Sequence, residues 1–322
     1  MKNWQKGLII FIIIMVAIII FGIIYGAGRS SSFVSMGPYI ARINVEGTIS
    51  SAPSVDVFGN VAGYYHQWTL DKLDELMSDG NNKGIIFYID TPGGGVYESD
   101  ELYLRIKEYQ EVTENPVYVA MGSMAASGGY YVAAPADKIF ANRNTWTGSI
   151  GVTMGTMVDV SEFLGEHGVK TETFISGRNK AMGNYFDPMT DEQRNIYQAL
   201  VDEAYDQFTG IVADEREFTD FKVRELADGR IYTAKQALEL GLIDEIGTYD
   251  DAVADLKDTF GLENCAVTEF YYSNSSFISR VLGEDNMQQI LAVLRYGKGD
   301  VGAILQFAGD MNRMPIRYMY GN

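Results

Sequence analysis

GIIFYIDTPGGGV, residues 84–96, is the most informative segment for the architecture, because a continuous apolar run ends there in a turn of three glycines. An unbroken apolar run of this length is typical of a parallel strand that is covered on both faces of its sheet. Glycines free the backbone N–H groups of the turn to point outward and bind an anion, although a plain turn is the alternative. No Gly-Lys-Ser or Gly-Lys-Thr follows, so the pattern does not indicate a phosphate-binding loop.

Short apolar runs and amphipathic helices alternate on both sides of this stretch. Strands are predicted at residues 38–45, 84–89, 117–121, 138–141, 150–154 and 171–175, and helices at residues 69–77, 99–111, 160–167, 190–215, 234–240 and 250–260. Another helix is predicted to begin near Ala125. Strands that alternate with helices indicate an α/β fold with mostly parallel strand pairing.

The composition of the 322-residue chain excludes several classes of function. Its net charge of −18 repels phosphate backbones, so we expect no nucleic-acid partner. Cys265 is the only cysteine, which rules out an internal disulfide and a multi-thiolate metal site, and we interpret it as a buried core residue. The two histidines do not form a pair with ligand spacing, so we predict no metal and no cofactor.

Ser127 is the predicted nucleophile, within the segment MAASGGYY at residues 124–131. Its small neighbours let a peptide backbone approach to a reacting distance of about 3 Å. Tight packing of a helix on the sheet is the alternative. Serine needs a base, and neither His66 nor His167 lies in a comparable setting. Lys180, in the segment SGRNKAMG, is the predicted base if burial away from counter-charges keeps its amine neutral, and a solvated surface lysine is the alternative.

Other residues complete the predicted site. The N–H groups of Gly94 and Gly128 are candidate donors to a tetrahedral oxyanion. Ser149, in the segment TWTGSIGV, is the hydroxyl that we expect to orient a neutral lysine, and an ordinary turn serine is the alternative. Ser123 is an alternative nucleophile.

A run of eighteen residues without a charge, Leu8–Tyr25, predicts a transmembrane helix near the N-terminus. As a helix it would measure about 27 Å, which matches the hydrocarbon thickness of a bilayer. A cleaved secretory signal is the alternative, but its apolar region is usually shorter. Lys2 and Lys6 precede the run, so we expect the N-terminus in the cytoplasm and the large domain outside it. The predicted parts are a cytoplasmic stub with a membrane anchor (1–28), a tether (29–37), a catalytic domain (38–296) and a mobile tail (297–322).

Taken together, these motifs resemble those of the signal peptide peptidase A family of membrane-anchored serine peptidases, in its short, single-copy form. The resemblance is strongest over residues 84–183 and includes the segments PGGGV, ASGGYY, TGSIG and SGRNK. It implies that Ser127 is the nucleophile and Lys180 the general base. It also implies that Gly94 contributes to the oxyanion hole and that Ser149 holds the lysine.

The resemblance further implies a fold like the spiral of ββα units in Clp protease and crotonase. It implies homo-oligomers, rings or domes, with active sites at subunit junctions. The expected substrates are remnant signal peptides and other apolar peptides, cleaved without a cofactor at the bilayer. A crotonase-type acyl-CoA enzyme and a non-catalytic membrane scaffold are the rival functions. Binding of CoA would support the first, and a lack of Ser127 labelling by a serine-reactive probe would support the second.

Overall fold

A mostly parallel β-sheet runs through the part of the chain that the computed structural model describes, which is residues 37–55, 61–272 and 317–319. The strands are β1 (Tyr39–Glu46), β2 (Ser54–Val55), β3 (Val61–Ala62), β4 (Asn82–Thr91), β5 (Gly93–Gly95), β6 (Val117–Ala126), β7 (Lys138–Ala141), β8 (Trp146–Gly148), β9 (Ile231–Thr233), β10 (Glu245–Ile246), β11 (Ala266–Phe270) and β12 (Arg317–Met319). The helices are α1 (His66–Ser78), α2 (Val96–Thr113), α3 (Gly128–Ala133), α4 (Ser161–Glu166), α5 (Asp191–Glu215), α6 (Asp220–Leu226), α7 (Ala234–Leu240) and α8 (Tyr249–Phe260).

The central strands follow the order β10–β7–β6–β4–β1–β11, and each neighbouring pair along this path is parallel. β4 and β6 stay paired as far as Thr91 opposite Ala125. At that end of the sheet β8 replaces β7 as the neighbour of β6, and β9 pairs antiparallel with β8. The predicted α/β fold with mostly parallel pairing is confirmed, whereas its finer description as a spiral of ββα units stays a prediction.

Helices cover both faces of the sheet, which explains the unbroken apolar run of β4. On one face α2 and α5 bury Tyr109 and Phe208. On the other face α8 packs Leu256 into a second core with Ile86 and Cys265, so the cysteine is a core residue as predicted. Each large apolar side chain buried in this way contributes about 1.5–3 kcal/mol. The two cores therefore fix the ends of β4 and β6, where the functional residues lie.

Two strand predictions were wrong, because no strand forms at residues 150–154 or 171–175. Ile150 is buried directly after β8, whereas residues 171–175 are exposed and Phe174 is 87% exposed. The apolar and β-branched residues there favour a strand only where a neighbouring strand packs beside them. Neither segment has such a neighbour in the described part of this chain.

The predicted membrane anchor, Leu8–Tyr25, lies outside the described residues, as does most of the predicted tail. Among residues 37–55, 61–272 and 317–319, no helix combines the length and apolar character that crossing a membrane requires. Residues 317–319 of the tail form β12, which pairs antiparallel with β5.

Candidate active site

Ser127 lies in a tight turn between β6 and α3, because β6 extends past Ala125, where a helix was expected to begin, and α3 starts at Gly128. Its backbone has φ 56° and ψ −118°, a conformation that residues other than glycine rarely adopt and that costs about 1–3 kcal/mol. The Ser127 N–H donates to the Gly148 carbonyl at 2.7 Å, and the Tyr131 N–H donates to the Ser127 carbonyl at 2.9 Å. A strained strand-to-helix turn of this kind also carries the nucleophile of α/β-hydrolases.

The Ser127 hydroxyl does not hold the fold together. The residue is 1% exposed, and its Oγ is buried without a hydrogen-bond partner among the residues that the structure describes. It does not cap α3, although Ser127 occupies the N-cap position of that helix. A buried hydroxyl without a partner costs about 1–3 kcal/mol, so the free hydroxyl adds to the cost of the backbone strain. Unfavourable features of this kind cluster at functional sites.

The glycine turn places a backbone nitrogen beside Gly128, the residue that follows Ser127. In β5 the Gly93 carbonyl accepts from the Ile49 N–H at 3.0 Å, and the Gly95 N–H donates to the Ile49 carbonyl at 2.9 Å. Because these groups alternate between the two edges of a strand, the N–H of Gly94 faces the opposite edge. Gly128 lies against that edge, since a Cβ added to Gly128 would lie 3.1 Å from the Gly94 nitrogen. The structure therefore brings the two predicted oxyanion donors together.

Close contacts explain why these positions hold glycine. A Cβ on Gly94 would lie 1.8 Å from the carbonyl oxygen of Ile49. A Cβ on Gly128 would lie 2.5 Å from Oγ of Ser99, a second buried hydroxyl without a partner among the described residues. The absence of side chains at both glycines lets the start of α3 approach β5.

Ser149 lies next to a residue that contacts the site, because the carbonyl of its neighbour Gly148 accepts the Ser127 N–H, whereas its own N–H donates to the Arg230 carbonyl at 2.8 Å. Ser149 is 5% exposed and has φ 51°. Ser123, the alternative nucleophile, is exposed, and its hydroxyl donates to Oδ1 of Asp90 at 2.7 Å. The strained turn and the glycine N–H groups therefore single out Ser127 rather than Ser123.

Lys180 does not contact Ser127 within the described chain. Its side chain is exposed, and its backbone N–H donates to the Gly177 carbonyl at 2.9 Å in a turn between α4 and α5. Ser127 Oγ has no hydrogen-bond partner among the described residues, and these include Lys180. The described part of one chain therefore does not bury the Lys180 amine, although the prediction of a neutral base required burial.

Three features of the site were not predicted. Ile49 pairs with β5, Glu98 lies against Gly95, and β12 pairs with β5 so that Tyr318 lies opposite Gly94. Most of these contacts join residues that are far apart in the sequence. The three glycines of β5 are the only sequence feature that indicates a close approach at this position. Among the described residues, no group of three His, Cys, Asp or Glu side chains is placed to hold a metal ion.

Sequence comparisons relate this chain to known peptidases. The model of peptidase family S49 matches residues 110–263, a range that contains Ser127 and Lys180. The protein named signal peptide peptidase SppA in Enterococcus faecium is 37% identical over 244 residues, which cover 76% of this chain and 70% of that protein. The chloroplastic serine protease SPPA of Arabidopsis thaliana is 33% identical over 189 residues, which cover 58% of this chain and 28% of that protein.

A solved structure of a ClpP1 mutant from Listeria monocytogenes superimposes on this chain with a TM-score of 0.44 and 16% sequence identity. The superposition covers 66% of this chain and 94% of that chain, but a similarity this weak carries no argument about fold or assembly. The sequence matches are much stronger. On their evidence the chain is a serine-type peptidase and belongs to peptidase family S49, the family of signal peptide peptidase A.

Proposed function

We propose that this peptidase is anchored in the cell membrane by residues 8–25 and degrades remnant signal peptides on the outer side, with Ser127 as nucleophile and Lys180 as general base. One observation carries the proposal. The Ser127 hydroxyl, which has no hydrogen-bond partner among the described residues, lies in a strained turn next to Gly128, and Gly128 lies against the Gly94 nitrogen. Acyl transfer requires this combination of a free nucleophile and fixed donors for a developing oxyanion.

The proposed reaction proceeds in two similar halves. A neutral Lys180 amine accepts the Ser127 proton as Oγ attacks the peptide carbonyl, and the carbonyl oxygen becomes an oxyanion bound by the N–H groups of Gly94 and Gly128. The tetrahedral intermediate collapses, the C–N bond breaks, and the lysine gives its proton to the leaving amine. A water molecule then loses a proton to the lysine and attacks the acyl-serine, the bond from the acyl carbon to Oγ breaks, and the lysine returns its proton to Oγ, which releases the acid and regenerates Ser127.

We further propose that Lys180 reaches Ser127 of a neighbouring copy in a homo-oligomer. Lys180 is exposed within a long segment between β8 and α5 that has few regular elements. This segment carries eight exposed large apolar side chains, namely Met157, Val158, Phe163, Val169, Phe174, Ile175, Tyr185 and Phe186. Exposed apolar surface of this extent is typical of protein–protein contacts. A neighbouring copy that covers it would also remove water from the lysine.

Membrane anchoring would bring the site to its proposed substrates. Remnant signal peptides are apolar and remain at the bilayer, so an anchored domain meets them without their release into water. The edge of β5 that pairs with β12 supports binding of such a peptide in an extended form, because main-chain hydrogen bonds at a strand edge do not depend on the peptide's sequence.

A serine-reactive acylating probe tests the nucleophile and the base together. We expect the wild-type chain to be labelled at Ser127, as mapped by mass spectrometry, and Ser127→Ala and Lys180→Ala each to lose peptide hydrolysis while staying folded. Ser123→Ala is the matched control and should keep both labelling and hydrolysis. Hydrolysis by purified Ser127→Ala, or labelling confined to Ser123, would contradict the proposal.

Mixed oligomers test the origin of the lysine. When Ser127→Ala and Lys180→Ala chains are co-expressed, a site that takes its serine from one copy and its lysine from the next regains both groups. We therefore expect partial recovery of hydrolysis in the mixture, although each variant alone is inactive. No recovery in oligomers that demonstrably contain both chains would mean that the two residues act within one copy.

A further inference from the structure

The pairing of β12 with β5 gives a register that an extended peptide could adopt on the same edge. The two strands are antiparallel, with Arg317 opposite Gly95, Tyr318 opposite Gly94 and Met319 opposite Gly93. A peptide on the same edge therefore has one residue opposite Gly94, next to the oxyanion donors. The residue that precedes it lies opposite Gly95.

The side chain of that preceding residue projects toward Glu98. Residues directly opposite each other in an antiparallel pair place their side chains on the same face. Gly95 has no side chain, but a Cβ added to it would lie 1.8 Å from Oε2 of Glu98. The Glu98 carboxylate therefore occupies the space that a side chain of Gly95 would take. The side chain of the peptide residue opposite Gly95 lies on the same face of the sheet as this carboxylate.

The Glu98 carboxylate is held in place but has no cationic partner. Oε1 accepts a hydrogen bond from the Ser51 N–H at 3.0 Å, and the residue lies half-buried in the first turn of α2. Among the described residues, no lysine, arginine or histidine forms an ion pair with it. Oε2, the oxygen nearer Gly95, is thus available to a charge that a bound peptide brings.

We propose that Glu98 is a specificity-determining residue that selects a lysine or arginine side chain at the peptide position opposite Gly95. This is the residue immediately before the one whose carbonyl enters the Gly94–Gly128 donor pair, so the assignment rests on the proposed function. The chain's own β12 has a basic residue, Arg317, at the same register position. A carboxylate that is already oriented loses little freedom when it pairs with an incoming cation.

Binding to the full-length Ser127→Ala chain tests this assignment without relying on hydrolysis. Two labelled apolar peptides that differ only by arginine or glutamine at the selected position compete in one sample, which gives the ratio of their dissociation constants. Any competition from β12 affects both peptides equally and cancels in the ratio. We expect the arginine peptide to bind about fivefold more tightly at low salt, as for a partly exposed ion pair, and the preference to shrink at high salt.

Substitutions of Glu98 then locate the source of the preference. Ser127→Ala/Glu98→Gln should bind both peptides with equal affinity, because glutamine still accepts from the Ser51 N–H but carries no charge. Ser127→Ala/Glu98→Lys should prefer a glutamate peptide instead. Ser127→Ala/Glu108→Gln, an exposed change on the same helix, is the matched control and should keep the arginine preference.

The two proposals fail in distinguishable ways. Equal binding of the two peptides by Ser127→Ala, or an arginine preference that survives Glu98→Gln, would overturn the role of Glu98. Retained hydrolysis in Ser127→Ala would instead overturn the proposed catalytic dyad, and the binding ratio would still decide the role of Glu98.

Discussion

Ser127 carries two features that oppose folding, a backbone φ of 56° and a buried Oγ without a partner among the described residues. Both would serve the role of nucleophile that we propose for Ser127. The turn fixes the direction of attack in advance, and the free oxygen is not committed to another hydrogen bond. Stability and activity are therefore opposed at this residue, and substitutions of Ser127 can separate them.

Replacing Ser127 with glycine should stabilise the protein while it abolishes hydrolysis. Glycine adopts the observed φ without steric cost, and the unpaired hydroxyl disappears, so we expect the free energy of unfolding to rise by about 1–2 kcal/mol. Urea denaturation of the purified variants measures this. Ser127→Ala keeps the strain but removes the hydroxyl, and its stability should lie between those of wild type and Ser127→Gly. A glycine variant less stable than wild type would show that the turn is not strained.

Part of the active site could be predicted residue by residue. Small residues after an apolar run mark Ser127, Gly94 and Gly128, because close backbone approach leaves a local trace in the sequence. Ile49 and Glu98 leave no such trace, since their roles depend on a bridge and a carboxylate that only the folded chain brings to β5. The sequence left the exposure of Lys180 open, because apolar Ala181 and Met182 follow it but the polar Arg178 and Asn179 precede it.

β5 can pack closely against Ile49 only because its three residues are glycines. Gly94→Ala would place a Cβ 1.8 Å from the Ile49 carbonyl, so β5 must shift away from its neighbour. We expect kcat/KM for peptide hydrolysis to fall about 100-fold or more, the effect of losing an oxyanion donor. Gly210→Ala, in the middle of α5 with no heavy atom within 4 Å, is the control. It should keep full activity and gain about 0.5–1 kcal/mol of stability. Equal activities of the two variants would contradict the assigned role of β5.

Elements with complete local signals were predicted well. The predicted capping box forms at the start of α5, where the Thr190 side chain accepts from the Gln193 N–H. The helix ends at Glu215, as predicted. The strands predicted at residues 150–154 and 171–175 failed because pairing, not propensity, makes a strand. β9 and β10 were not predicted, because strands of two or three residues have no recognisable pattern of their own and form only by pairing with neighbours in the sheet.

At the scale of the whole molecule, an ion pair fastens α8 to the sheet and makes stability depend on pH. Burial alone raises the pKa of Asp255, but hydrogen bonds from Lys138 at 2.6 Å and Tyr118 at 2.9 Å lower it below its usual range. A lowered pKa in the folded state stabilises the protein above about pH 4 and ceases to do so as the pH falls through the folded value.

Asp255→Asn should therefore be less stable than wild type by about 1 kcal/mol at pH 7, and the difference should shrink as the pH falls through the lowered pKa of Asp255. Chemical denaturation across this pH range measures both quantities. Asp258→Asn, an exposed change on the same helix, should show little difference at either pH. A stability loss for Asp255→Asn that stays constant down to pH 2 would mean that the charge of Asp255 does not contribute.

The proposed homo-oligomer requires that another copy of the chain covers the exposed segment around Phe174. Phe174 is 87% exposed, so Phe174→Glu removes few contacts within the chain and should leave its unfolding temperature unchanged. A charge in the centre of an apolar interface should weaken association about 30-fold or more, and hydrolysis should fall with it if Lys180 comes from the neighbour. Sedimentation velocity and peptide hydrolysis measure the two effects.

Phe221→Glu, 76% exposed on α6, is the matched control and should change neither association nor hydrolysis. A Phe174→Glu chain that sediments and hydrolyses like wild type would remove this segment from the proposed interface.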